Sequence, residues 1–225
     1  MTSNKTKEIQ YQTLFDLKQA EGLTKLGVMN NQVWRDDPKR LAFTLSRYKF
    51  VAKMLSGKKN VLEVGCGDAF ASRIVQQDVG KLTVVDFDPL FISDIEERMD
   101  EDWPLTCAVH DMLAKPFDGS FDGIYALDVL EHIRPEDEHL FMANALSSLS
   151  EFGVVIIGIP SLESQTLASP QSREGHVNCK SGYDFKESML QFFSNVFMFS
   201  MNDEVIHTGH YAMAHYLLAV CVNKK

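Results

Sequence analysis

The chain of 225 residues has no long apolar run, and nothing in it approaches the ~20 residues that a membrane-spanning helix needs. Its start, MTSNKTKEIQ, is polar and lacks an apolar h-region, so no signal peptide is expected and the expected location is cytoplasmic. Cysteine is sparse. Cys66, Cys107, Cys179 and Cys221 are widely spaced and form no CxxC pair, which points to reduced thiols, mostly buried in strands. Basic charge is in deficit: 22 Lys and Arg against 31 Asp and Glu give a formal net charge of −9. Phosphate backbones and anionic membranes are held by clustered Lys and Arg, so neither nucleic acid nor a membrane is an expected partner. Internal repeats, low-complexity tracts and Pro/Gly/Ser-rich linkers are also missing. One compact domain over residues 58–225 is therefore expected, with an N-terminal helical extension or cap over 1–57.

What is present is alternation. Apolar strand candidates at 61–65, 82–88, 105–111, 123–129 and 154–160 are separated by helix candidates near 69–78, 89–100 and 136–150. That rhythm predicts an α/β fold, a parallel sheet covered by helices through right-handed βαβ units. After Pro160 a polar loop over 161–182 leads to a helix near 184–193. Two β-like runs follow, 195–203 and 214–222, and they read as antiparallel neighbours across a turn-rich EVIHTGHYAM. Upstream, residues 36–57 read as a helix with Asp36 or Asp37 as N-cap, Pro38 in the first turn and Gly57 at the end. Its apolar stripe is Leu41, Leu45, Tyr48, Val51, Ala52 and Leu55.

The stretch NVLEVGCGDAFASRIV, 60–75, holds the first chemical signal. Gly65 and Gly67 permit positive φ just before a helix N-terminus, where a ligand can approach the backbone. A dinucleotide fingerprint would place a third glycine where Phe70 stands, and Asp68 at the mouth of the turn suits a cationic ligand better than a pyrophosphate. Glu63 lies inside an apolar strand, where a carboxylate needs donors to hold. Nineteen residues after Gly67, Asp86 ends the next strand at the spacing of an acid that accepts from ribose hydroxyls. Phe87 is placed to lie on an adenine face, and Asp111 with Met112 ends the strand after that.

These residues describe a pocket for an adenosine with a positive, non-phosphate tail. The chain resembles the class I S-adenosylmethionine-dependent methyltransferases through V-L-E-V-G-C-G-D, V-V-D-F-D, H-D-M and A-L-D-V-L-E-H-I, in order over about 61–160. The resemblance implies a three-layer Rossmann-like fold with a seven-stranded, mostly parallel sheet and an antiparallel last strand, and S-adenosylmethionine as cofactor. It implies that Gly65, Cys66 and Gly67 line the methionine portion, with Glu63 supporting the turn or meeting the amino group. Asp86 would bind the ribose and Phe87 flank the adenine. Asp111 and Met112 would hold the adenine edge, and Asp128 with Val129 would sit near the amino acid tail.

An alcohol acceptor also requires a general base, and histidine titrates in the right range. His176 ranks first, then His207 and His210, with His132 in the generic E-H-I pattern; His215 reads as a core or edge residue. His176 with Cys179, and His207 with His210, have spacings that zinc uses, but methyl transfer needs no metal and none is expected. Arg47 is either a partner for the methionine carboxylate or an ordinary surface cation. The polar loop over 161–182 suits a polyhydroxylated acceptor, so the expected activity is O- or N-methylation of a polar small molecule, such as a sugar or glycan precursor. The alternatives are a protein methyltransferase and a non-catalytic S-adenosylmethionine-binding protein.

Overall fold

The computed structural model describes residues 5–225, so residues 1–4 of the expected extension lie outside the described residues. Three helices come first: α1 (Gln12–Glu21), α2 (Val28–Asp36) and α3 (Lys39–Leu55). The alternating region then runs β1 (Val61–Val64), α4 (Ser72–Gln76), β2 (Leu82–Asp86), α5 (Pro89–Glu97), β3 (Thr106–Val109), β4 (Phe121–Leu127), α6 (Glu138–Ser148) and β5 (Leu149–Pro160). The chain ends with α7 (Pro170–Gly175), α8 (Gly182–Leu190), β6 (Phe193–Asn202), β7 (Val205–His207) and β8 (Tyr216–Lys224).

One sheet has the order β3-β2-β1-β4-β5-β8-β6-β7. The first five strands in that order are mutually parallel, and β8 is antiparallel to both β5 and β6. The sheet has eight strands where seven were expected. The extra one, β7, arises within the segment read as a turn: Asp203 takes φ +49°, and the chain folds back so that Val205 pairs with Asn202 and His207 with Ser200. A short acid tolerates that left-handed backbone, which lets a tight hairpin close.

Period-2 alternation sorts the core onto both faces of the sheet. On β4, Ile124 and Ala126 join the layer that includes Phe141 of α6 and Phe185 of α8. Tyr125 and Leu127 face Tyr48, Val51 and Leu55 of α3 on the other side. Helices on both faces make the three-layer Rossmann-like arrangement. Among the described residues, no helix is long and apolar enough to cross a membrane.

Three local expectations need correction. Asp36 ends α2, and Pro38 rather than Asp36 or Asp37 occupies the N-cap of α3; Asp37 Oδ1 accepts from the Lys39 N–H at 3.3 Å. The loop over 161–182 contains a 3₁₀ turn (Glu163–Leu167) and α7, whose N-cap Ser169 accepts from the Ser172 N–H at 3.1 Å. All four cysteines are free, but only Cys66 and Cys221 are buried, because Cys107 lies on the edge strand β3 and Cys179 in the loop.

Candidate functional site

β1 sits between β2 and β4, so the strand order reverses there, and open α/β sheets form their ligand crevice beyond the strand ends at such a point. The chain leaving β1 turns through left-handed backbone at Gly65 (φ +73°), Gly67 (φ +52°) and Ala69 (φ +50°). The turn is stitched to β2: the N–H groups of Gly65 and Cys66 donate to the Val85 carbonyl at 2.8 and 3.1 Å. Glycine is required for a second reason. A Cβ on Gly65 would lie 2.3 Å from Val129 Cγ2, and one on Gly67 would lie 2.6 Å from Met29 Sδ. The Cys66 thiol is buried behind the turn, and that burial pushes its pKa up.

Glu63 has the donors its position demanded. Its two oxygens accept from the hydroxyls of Tyr48 (2.7 Å) and Tyr125 (2.6 Å), and it is fully enclosed. Burial raises its pKa to about 7, partly offset by those hydrogen bonds. With both oxygens engaged by α3 and β4, this carboxylate braces the strand beneath the turn.

Asp68 does not face outward to a cation, as its place in the turn had suggested. It is buried under α2, where Oδ2 accepts from the Asn30 backbone N–H (2.8 Å) and Oδ1 from the Asn30 side chain (2.7 Å) and the Phe70 N–H (3.1 Å). The first turn of α2 has unpaired N–H groups and partial positive charge, so the carboxylate docks the N-terminal segment onto the glycine turn. Arg98 reinforces the dock by donating to the Asp68 carbonyl at 2.6 Å while pairing with Asp94 at 2.7 Å.

The remaining candidate residues lie at the ends of β2, β3 and β4. Asp86, nearly buried, accepts from the N–H of Gly67 and of Asp88, both at 2.9 Å, one on each oxygen. Each oxygen keeps a further lone pair, which fits the two hydroxyls of a ribose. Phe87 beside it is exposed, Met112 is buried, and Asp111 caps its own turn through Leu113 N–H at 2.8 Å. Asp128 leaves β4 with φ +56°, its N–H donating to the Gly158 carbonyl. Its carboxylate is held by Arg47 Nη1 at 2.8 and 3.1 Å. Arg47 is not a surface cation: its side chain is largely buried, and its guanidinium lies 3.7 Å above the Tyr216 ring.

Of the candidate bases, the fold brings two together. His132 follows β4 in a 3₁₀ turn (Leu130–His132), and His176 arrives from the end of α7, placing the ring centroids 5.1 Å apart. The loop is sewn to that turn by the N–H groups of Val177 and Asn178, which both donate to the Glu131 carbonyl. Burial, then His132, lowers the pKa of His176 and favours its neutral form. His207 lies on β7, separated from β4 by three strands, and both its nitrogens are engaged, by Asn202 Oδ1 and the Gly209 N–H, each at 2.9 Å. His210 is the N-cap of a 3₁₀ turn (Tyr211–Met213) and is not part of the group formed by Glu131, His132 and His176. His215 is half-buried with Nε2 unpartnered. The spacings H-x-x-C and H-x-x-H thus form no cluster among the described residues.

Sequence reasoning missed three contributors. Met29 and Asn30 belong to a segment with no motif, so only the fold reveals that they cover the turn. Glu131 was noted only as part of E-H-I, yet it is fully buried, and burial with nearby Asp128 holds its pKa well above the usual carboxylate range.

Residues 61–153 match the family model described as a methyltransferase domain. No curated protein matches the chain. Among solved structures, the N-methyltransferase NodS from Bradyrhizobium japonicum WM9 in complex with S-adenosyl-L-homocysteine is 20% identical, with a TM-score of 0.59 over 84% of this chain and 91% of that one. The DhpI complex with S-adenosylhomocysteine is 13% identical, with a TM-score of 0.62 over 86% and 91%. A TehB-like S-adenosylmethionine-dependent methyltransferase from Corynebacterium glutamicum is 18% identical, with a TM-score of 0.62 over 86% and 96%.

Proposed function

On the premise that this chain is a class I S-adenosylmethionine-dependent methyltransferase, we propose that it methylates an oxygen of a polar small molecule, a sugar or glycan precursor being the class that fits best. The cofactor supplies an activated methyl group on a sulfonium, so the protein has to position an acceptor and manage its proton. In this reading Asp86 receives the ribose hydroxyls, and Phe87, Asp111 and Met112 border the adenine. Gly65, Cys66 and Gly67 line the methionine portion, with Asp128, Val129 and Arg47 near its amino acid end. Met29 and Asn30 cover the turn and exclude water.

The observation that carries the acceptor class is the convergence of Glu131, His132 and His176 beside Asp128, under a loop rich in Ser and Gln. An alcohol has to lose a proton as it attacks, and a polar cluster at that place can ease its loss. A carboxylate, already deprotonated, would not need such a cluster. Holding acceptor and donor in line accounts for roughly 7–11 kcal/mol of a barrier in well-oriented systems.

The test is to supply methyl-labelled S-adenosylmethionine together with pools of polar metabolites. Label in a hydroxylated small molecule is the expected result. Label found only on protein overturns it in favour of protein methylation. Calorimetric binding of S-adenosylhomocysteine with no label transferred to anything overturns it in favour of a non-catalytic binder.

A further inference from the structure

Glu131 is fully enclosed at the end of β4, and neither carboxylate oxygen has a hydrogen-bond partner among the described residues. A carboxylate out of water without donors is strongly unfavourable unless something else meets its charge. What surrounds it is the buried Arg47 guanidinium, which acts on it electrostatically, and a pair of imidazoles. One ligand atom from each of Glu131, His132 and His176 falls within 4.8 Å of the others.

Both rings are already oriented. His132 Nδ1 lies 2.9 Å from the Gly175 carbonyl oxygen, and His176 Nδ1 lies 2.8 Å from Gln165 Oε1. The Gln165 amide nitrogen donates to the Ser161 carbonyl at 3.1 Å, which leaves its oxygen as the atom facing His176. A carbonyl oxygen only accepts, so Nδ1 donates in each ring and Nε2 is the nitrogen left to bind a metal. Metal-binding histidines are held in this manner, with the far N–H donated to a carbonyl. The loop approaches closely at Gly175, where a Cβ would lie 3.2 Å from the His132 ring.

We propose that Glu131, His132 and His176 bind a divalent transition metal ion, Zn²⁺ or a first-row neighbour, through one carboxylate and two Nε2 atoms. Two imidazoles and a carboxylate suit such borderline ions better than Mg²⁺ or Ca²⁺. The exposed side of His132 leaves coordination positions open. Asp128 acts electrostatically on both Glu131 and His176, while Arg47 pairs with Asp128 and also acts on Glu131. The role of the ion rests on the acceptor reading above: an acceptor hydroxyl that coordinates it loses its proton to solvent more readily.

The experiment is calorimetric titration of the full-length, tag-free, chelator-treated protein with Zn²⁺, repeated with Co²⁺ while following visible absorption. One site of low-micromolar affinity or better is expected. Glu131→Gln and His176→Gln should each weaken it about 100-fold or more, and Gln165→Ala by ~10–100-fold through the loosened ring. S-adenosylhomocysteine affinity, measured on the same samples, should be unchanged in all three and shows that they fold. No Zn²⁺ or Co²⁺ binding, or equal binding by the variants, overturns the metal site. If labelled small molecules still form in chelator, the acceptor reading stands and the metal fails. If the metal binds at these residues while label appears only on protein, the site stands and the acceptor reading fails.

Discussion

Asn30 grips Asp68 with its backbone and its side chain at once, at 2.8 and 2.7 Å, and so ties the N-terminal helices to the turn after β1. Asn30→Ala removes the side-chain donor and leaves buried Asp68 Oδ1 with only the Phe70 N–H. A loss of about 1–2 kcal/mol is expected in urea denaturation, together with faster proteolysis before Asp36. Unchanged stability and unchanged cleavage would show that α2 is held by other contacts.

Gly67 and Met29 form a second link. Gly67→Ala imposes φ +52° on a residue with a Cβ and pushes that Cβ to 2.6 Å from Met29 Sδ. Strain of order 1–3 kcal/mol is expected, and Met29→Ala in the same chain should return the part due to crowding. If the double variant is no more stable than Gly67→Ala, the whole effect lies in the backbone.

The legible parts were those with a short sequence period or a motif. The five parallel strands, the glycine turn, and Asp86 at its end of β2 follow from local pattern, because each element obeys its own rule within a few residues. β7 escaped because it is three residues long and depends on Asp203 adopting a conformation most residues avoid. The meaning of Asp68 escaped because its partner is 38 residues away on a helix without a signature. Glu63 was readable as a carboxylate needing donors, but nothing local identified Tyr48 and Tyr125 as those donors. His132 and His176 stand 44 residues apart and meet only through the loop, whose own helices had been read as irregular.

Glu63 should leave a pH signature. Its folded pKa of about 7 lies above the ordinary value of 4.5, so the proton is held more tightly in the folded state. Its contribution to stability is therefore fully present below about pH 4.5 and is lost as pH rises through about 7. The shift corresponds to roughly 3 kcal/mol. Glu63→Gln keeps the shape without the ionisation, so its stability relative to the natural chain should climb across that window and level off above it. Denaturation curves measured at several pH values check this, and parallel pH profiles for the two proteins would refute it.

Asp128 carries two burdens that substitutions can separate. Its backbone sits at φ +56°, which Asn tolerates as well as Asp, and its carboxylate neutralises Arg47, whose side chain is only 15% exposed. Asp128→Asn therefore keeps the turn but leaves the guanidinium without its counter-charge over the Tyr216 ring. Asp128 is itself 44% exposed, and water screens part of the pair, so the expected cost is about 1–3 kcal/mol, below that of a fully buried pair. Adding Arg47→Met removes the stranded charge while filling its space, and should recover most of that stability. Affinity for S-adenosylhomocysteine, by contrast, should fall in Asp128→Asn and stay low in the double variant, because both residues proposed to lie near the amino acid end of the cofactor are then altered. Recovered affinity in the double variant would place Asp128 outside the cofactor site. A double variant no more stable than Asp128→Asn would show that Arg47 does not need its partner.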